Sequence, residues 1–295
     1  MTTVYLGTSA FAAAVLERLA ASAHRPALVV TRPDRPKGRG RKLSPPPVAG
    51  AARALGIGLA QPDDVNEAAA RACIASAEPD VVVVCAFGAL IREPLLSQHE
   101  LLNVHPSLLP RWRGAAPIER AIMAGDAETG VAIMRVTAGL DSGPVCSLQR
   151  EPIRPEDTYG TLSARLAQLG ASLLVRALDE RPGFEEQDES LATYAEKLGP
   201  QDRTLDPTRP AAELERAVRA LTPHVGARVM LPDGSFLGVV RAQLAADGRA
   251  PAGTLASEGG RLVLACTAGA LDLTVVQPPG GRPMSAADYL RGRSL

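Results

Sequence analysis

Asn103, His105 and Asp141 are the residues of this chain best suited to act together. The apolar stretch Leu101 to His105 reads as a buried strand, and strand alternation puts Asn103 and His105 on one face. Asp141 lies in the turn Gly139-Leu140-Asp141-Ser142-Gly143, after the apolar run Val131 to Val136, which reads as a neighbouring strand. Both groups are thus expected at strand ends, the edge of an open α/β sheet where ligands bind. An imidazole titrates near neutrality, and a carboxylate beside it can hold or raise its charge. An amide can donate to an oxyanion as a carbonyl becomes tetrahedral. The same three residue types also cap strand ends, and spacing alone leaves both readings open.

Other chemistries lack their residues. The chain has no G-x-S-x-G elbow and no H-E-x-x-H pair, and neither Cys85 nor Cys146 has an adjacent histidine. Covalent catalysis and zinc hydrolysis are therefore disfavoured, and direct acyl transfer between two bound substrates remains. Gly7-Thr8-Ser9 reads either as a phosphate-binding turn at a helix start or as an ordinary strand-to-helix turn.

These residues need a scaffold. The chain has 295 residues and is 46% hydrophobic, enough for one large domain or two ordinary ones. It has 32 basic and 32 acidic residues, so any contact with a polyanion must be local. Cys73, Cys85, Cys146 and Cys266 are scattered without C-x-x-C spacing, which fits a reducing, cytoplasmic setting. No charged leader or long apolar run points to secretion or a membrane span.

Apolar runs at Val4 to Gly7, Ala27 to Thr31, Val81 to Cys85, Leu101 to His105 and Val131 to Val136 alternate with helical patterns. Those patterns cover Phe11 to Ala21, Val48 to Leu55, Glu67 to Ala77 and Pro117 to Ala124, and the alternation predicts an α/β fold with a doubly wound, mostly parallel sheet. A longer helix is expected from Thr158 to Leu178, with Asp157 as its N-cap. Polar, proline-bearing sequence from Arg181 to Arg209 reads as a linker. Beyond a short helix, Ala211 to Leu221, strands are expected at Ala227 to Leu231, Phe236 to Ala242, Gly253 to Ala256, Arg261 to Ala265 and Leu271 to Val276, a small β-barrel of OB-like type. The division predicted is residues 1–187, a linker over 188–206, and the barrel over 207–295.

The segment Arg32 to Lys42 carries six basic residues against one acidic, with prolines and glycines that disfavour regular structure. It follows the second strand and so leaves the same sheet edge as Asn103 and His105. It reads as a mobile loop that could wrap a polyanion beside the site, or as a solvated surface loop.

The stretches N-x-H-P-S-L-L-P (Asn103 to Pro110), W-R-G-A-A-P-I (Trp112 to Ile118) and G-L-D-S-G (Gly139 to Gly143) resemble the folate-dependent formyltransferases. R-P-D-R-P-K-G-R-G from Arg32, A-G-D-A-E-T-G-V from Ala124 and T-Y-A-E-K-L from Thr193 are similar to the members that act on initiator tRNA. The resemblance implies a Rossmann-like catalytic domain that moves the formyl group of 10-formyltetrahydrofolate to the α-amine of methionine carried by initiator tRNA, without a metal. It implies that Asn103, His105 and Asp141 are catalytic. Folate would be held by Ser107, Leu108, Leu109 and Pro110 with Phe87 and Leu90, although Phe87 and Leu90 read equally well as core. The acceptor end of tRNA would meet Arg35, Lys37, Arg39, Arg41 and Lys42, with Arg39 matching the family's key arginine. Arg111 and Arg113 around Trp112 suggest an exposed loop near tRNA, unless the tryptophan is a packing anchor.

A tRNA-contacting barrel usually has a basic face. Here residues 204–295 hold ten arginines, no lysine and eight acidic residues, so either the barrel contributes less than is usual in the family it resembles or Arg216, Arg219 and Arg228 gather on one side. Two linked domains fit a monomer. Related enzymes that formylate phosphoribosylglycinamide or an amino-sugar nucleotide, or that hydrolyse or oxidise the formyl folate, share the three polar residues. A tRNA-binding module with a degenerate site is the reading from another class.

Overall fold

Val4, Tyr5, Leu6, Val82 and Val83 have no solvent exposure, because their two apolar runs pair as parallel strands at the centre of a sheet. The computed structural model describes residues 1–37, 40, 42–245 and 250–291, which fall into two compact units. The first unit comprises Met1–Pro117, Thr129–Pro152 and Ser163–Ala195, and the second Ile118–Glu128, Ile153–Leu162 and Glu196–Leu295.

Along the chain run β1 (Thr3–Gly7), α1 (Ala10–Ala20), β2 (Pro26–Val30), β3 (Arg35–Lys37), β4 (Lys42–Ser44), α2 (Pro47–Ala54), β5 (Gly58–Ala60) and α3 (Ala68–Ala75). Next come β6 (Val81–Cys85), α4 (Leu95–Gln98), β7 (Leu101–His105), β8 (Arg113–Gly114), α5 (Pro117–Ala124), β9 (Glu128–Arg135), β10 (Val145–Pro152) and α6 (Tyr159–Glu180). The remaining elements are β11 (Tyr194–Ala195), α7 (Pro200–Arg203), α8 (Ala211–Leu221), β12 (Ala227–Met230), β13 (Phe236–Ala245), β14 (Leu255–Glu258), β15 (Arg261–Ala265), β16 (Ala270–Gln277), β17 (Met284–Ser285) and α9 (Ala286–Leu290).

The first unit is built on a seven-stranded sheet in the order β10-β9-β7-β6-β1-β2-β5. Strands β5, β2, β1, β6 and β7 are parallel, and the order grows outward from β1 in both directions, the doubly wound pattern expected. The C-terminal ends of β1, β2, β6 and β7 therefore share one edge. Strand β9 runs antiparallel to β7, with Leu102 opposite Arg135 and His105 opposite Ala132. In the second unit β12 to β17 form an antiparallel sheet over one core with α8 and α9, where Leu214, Leu221, Leu237, Leu271 and Leu273 are buried.

Several elements differ from expectation. The basic segment is a short antiparallel hairpin, Arg35 opposite Ser44, Pro36 opposite Leu43 and Lys37 opposite Lys42, because both strands of a two-stranded ribbon are edges, where a proline without an N–H is tolerated. Strand β10 escaped notice because it is an edge strand, half-buried and mostly polar in its second half. The stretch read as linker contains β11, paired in parallel with β8, and α7. Helix α6 starts one residue after Thr158, whose hydroxyl accepts from Thr161 N at 3.3 Å, and Asp157 accepts from Thr161 Oγ1 and from Arg154 N, both at 2.8 Å.

Candidate active site

Asn103 and His105 leave the same face of β7 at its C-terminal end and line a cavity of ≈ 370 Å³ with Ala86, Phe87, Gly114 and Asp141. His105 is buried at 4% exposure. Its Nε2 donates to the Trp112 carbonyl at 2.9 Å, and its Nδ1 stands 3.6 Å from Asp141 Oδ2. Both ring nitrogens thus face oxygen acceptors. The Asn103 side chain makes no hydrogen bond among the described residues, so its amide is available to a bound molecule.

Asp141 reaches His105 by another route than the sequence suggests. Since β9 is antiparallel, its last residue, Arg135, lies beside Leu102, so the segment after it starts about 10 Å back along β7 from His105. Residues 136–141 can span about 20 Å and run back to the site. The return is pinned at its base, where Arg135 N donates to Pro144 O at 2.9 Å and Gly143 lies so close to the Arg135 carbonyl that a Cβ would overlap it. Asp141 Oδ2 accepts from Gly114 N at 2.8 Å. Gly114 has φ +117°, and a Cβ there would come within 2.8 Å of the Ala195 carbonyl, so glycine is required where β8 meets β11. Trp112 and Asp141, the two residues facing the imidazole, both adopt left-handed backbone conformations, with φ of 63° and 47°.

A second set of side chains, absent from the expectations, holds this arrangement. Gln187 Nε2 donates to the carbonyls of Asp141 at 2.8 Å and Gly143 at 2.7 Å. Gln187 Oε1 accepts from Arg113 Nε at 3.0 Å and Nη2 at 2.9 Å. Arg113 also makes a two-pronged pair with Glu189 at 2.7 and 2.8 Å. Its hydrogen bond to Arg113 holds the Glu189 carboxyl below the usual range, and the same bond raises the guanidinium. Arg113 is 1% exposed, which corrects the reading of it as an exposed tRNA-side residue. Arg111 is exposed and lies over the Trp112 ring at 4.4 Å. The available signal was Gln187-x-Glu189, an alternating polar pair in sequence otherwise read as linker.

The remaining candidates are distributed unevenly. Phe87 lines the cavity and is also core, 4% exposed, whereas the Leu90 side chain is 64% exposed and outside the cavity lining. Ser107 is fully buried and donates to the Arg111 carbonyl at 2.6 Å. Leu108 packs at Gly130, and Leu109 and Pro110 line a separate hollow of ≈ 290 Å³. None of these four lines the cavity that holds His105. Arg35 and Lys42 are exposed on the hairpin, Lys37 is on β3, and Arg39 and Arg41 lie outside the described residues. Arg216, Arg219 and Arg228 do not present a free basic face: they bond to Met123 O, to Glu215 with Asp157 O, and to Thr204 while stacking on Phe236. Ser9 caps α1 and Thr8 donates to the Phe87 carbonyl at 2.7 Å, so Gly7-Thr8-Ser9 is the ordinary turn.

All four cysteines are free thiols, and burial pushes the Cys85 thiol up to about 12. Among the described residues no helix is long and apolar enough to cross a membrane.

Residues 1–178 match the family described as Formyl transferase, and residues 197–294 match Formyl transferase, C-terminal domain. The chain is 44% identical over 299 residues to the methionyl-tRNA formyltransferase of Halorhodospira halophila, covering 99% of this chain and 96% of that protein. Among solved structures, the methionyl-tRNA formyltransferase from Clostridium thermocellum superposes with a TM-score of 0.63 at 14% identity, over 83% of this chain and 94% of that one. HypX from Aquifex aeolicus, solved in complex with tetrahydrofolic acid, superposes with a TM-score of 0.66 at 16% identity, over 98% of this chain and 46% of that one. These two structures share the fold.

Proposed function

The chain belongs to the formyl transferases, in their methionyl-tRNA formyltransferase branch, and from that premise we propose how its residues move a formyl group. The enzyme transfers the formyl group of 10-formyltetrahydrofolate to the α-amine of methionyl-tRNA, the initiator species, giving N-formylmethionyl-tRNA. The observation that carries the site assignment is the buried imidazole with an oxygen acceptor at each nitrogen, beside an unbonded amide in one cavity.

The free amine attacks the formyl carbon, and the bond from that carbon to the folate nitrogen breaks. Asn103 donates to the oxyanion that forms, and the doubly protonated His105 adds its charge. Asp141 balances that charge and relays the proton lost by the amine toward the leaving folate nitrogen. No step needs a metal. The cavity of ≈ 370 Å³ fits the reacting end of a folate, with Phe87 at its wall; Ser107 to Pro110 act from behind, by fixing the turn whose Trp112 carbonyl orients His105.

Arg35, Lys37, Arg39, Arg41 and Lys42 take the acceptor end of tRNA at the sheet edge. Residues 1–187 carry the chemistry and residues 207–295 further tRNA contacts, a division supported by the two family matches. The test is formyl transfer with initiator methionyl-tRNA, elongator methionyl-tRNA, phosphoribosylglycinamide and an amino-sugar nucleotide as parallel acceptors. Initiator methionyl-tRNA is expected to be strongly preferred; transfer to a small acceptor alone overturns the reading.

A further inference from the structure

Three side chains hold the backbone of one loop, Ala86 to Ile91, which supplies Phe87 to the reaction cavity. Thr8 donates to the Phe87 carbonyl at 2.7 Å, Arg32 Nη1 to the Gly88 carbonyl at 2.7 Å, and Asn66 Nδ2 to the Leu90 carbonyl at 2.9 Å. Thr8 and Asn66 sit in turns that lead into helices α1 and α3. Arg32 differs, because its main chain is the root of the basic hairpin, three residues before β3 begins.

That root is itself secured. Gln61 Nε2 donates both to the Arg32 carbonyl at 3.0 Å and to Asp34 Oδ1 at 2.8 Å. Arg32 is therefore gripped at its main chain where the hairpin starts and grips the cavity loop with its side chain. Its Nε is buried and has no hydrogen-bond partner among the described residues, so the guanidinium is held short of its full complement of bonds. Arg32 thus joins the main chain at the hairpin root to the Gly88 carbonyl of the cavity loop.

We propose that Arg32 is a positioning residue that couples the two substrate sites, so that tRNA seated on the hairpin tightens the cavity loop and raises folate affinity. The inference rests on the reading that tRNA binds at the hairpin. Linkage makes the effect reciprocal, folate raising tRNA affinity by the same factor. One side chain acting through one main-chain contact belongs at the lower end of allosteric coupling, about fivefold.

The experiment measures the dissociation constant of 5-formyltetrahydrofolate, which does not donate its formyl group here, with and without saturating uncharged initiator tRNA. In wild type tRNA should tighten folate binding about fivefold. In Arg32→Met the ratio should fall close to one, and Arg32→Lys, which can still donate to the Gly88 carbonyl, should restore it. Should Arg32→Met fail to fold in a thermal melt, Gln61→Met, which leaves Arg32 in place but releases the root, should also lower the ratio. An unchanged ratio in the folded variants, or a ratio of one in wild type, overturns the coupling role. Formyl transfer to methionyl-tRNA on the same preparations separates the two readings: wild type that transfers without coupling overturns the role of Arg32 alone, and wild type that neither binds tRNA nor transfers overturns both.

Discussion

Replacing Gln187 should cost both stability and turnover, and two substitutions at this one position separate the two effects. Gln187 donates to the carbonyls of Asp141 and Gly143 and accepts two bonds from the guanidinium of Arg113. Neutral hydrogen bonds contribute about 1 kcal/mol each, and bonds to a charged group about 1.5–3 kcal/mol. Gln187→Leu removes all four, and because Gln187 is only half-buried, water recovers part of the loss, which leaves about 3 kcal/mol. At roughly 2–4 °C per kcal/mol for a chain of this size, the melting temperature should fall by about 6–12 °C. Gln187→Glu keeps the acceptors for Arg113 but places an oxygen against two carbonyl oxygens. It should melt closer to wild type and still release the Asp141 turn. A displacement of about 1 Å at a reacting group can cost a hundredfold, so kcat for formyl transfer at saturating substrates should fall about 10²-fold in both variants. Calorimetry and single-turnover transfer on the same preparations provide the two readings. If Gln187→Glu turns over at the wild-type rate, Gln187 does not position Asp141 and the argument from the four bonds is wrong.

His105→Ala and Asp141→Asn should each lower kcat by about 10²–10⁴-fold with little change in melting temperature; near-wild-type turnover removes that residue from the mechanism. Arg35→Ala should raise KM for methionyl-tRNA and reduce the slope of log affinity against log salt by about 1, with folate affinity unchanged; equal loss of folate binding would make the hairpin structural. Glu189 has its carboxyl held below the usual value of 4.5 by the hydrogen bond from Arg113, so its contribution to stability is present above that value and is lost as pH falls through the lowered folded value. Glu189→Gln should therefore flatten the acid side of a melting-temperature profile, and an unchanged slope below pH 4.5 would show that the exposed carboxylate is decoupled from folding.

How much of this site was legible in the sequence depended on how each residue is held. Asn103 and His105 belong to a five-residue strand whose neighbours are apolar, so the period of two both located the strand and set their common face. The parallel sheet followed from the same patterns, because strands buried on both faces read as continuous apolar runs. Asp141 is different. Its place beside His105 depends on an antiparallel β9, a return segment fixed by Gly143, and a left-handed backbone that an Asp-Ser-Gly turn permits but does not dictate. The pairing was anticipated, but on the incorrect premise that both strands end on one edge. Arg113 was read as exposed loop and Gln187 fell within the polar stretch read as linker, because a charge and an amide are usually solvated. Each is held in place by the other, across a separation of 74 residues, and no local pattern encodes such a contact. The basic hairpin fails for the opposite reason: its composition argued against structure, yet three residues on each side pair across it. Charge and proline content therefore reported where this segment could meet a polyanion, whereas the hydrogen bond from Arg32 to Gly88, which joins it to the reaction cavity, could be seen only in three dimensions.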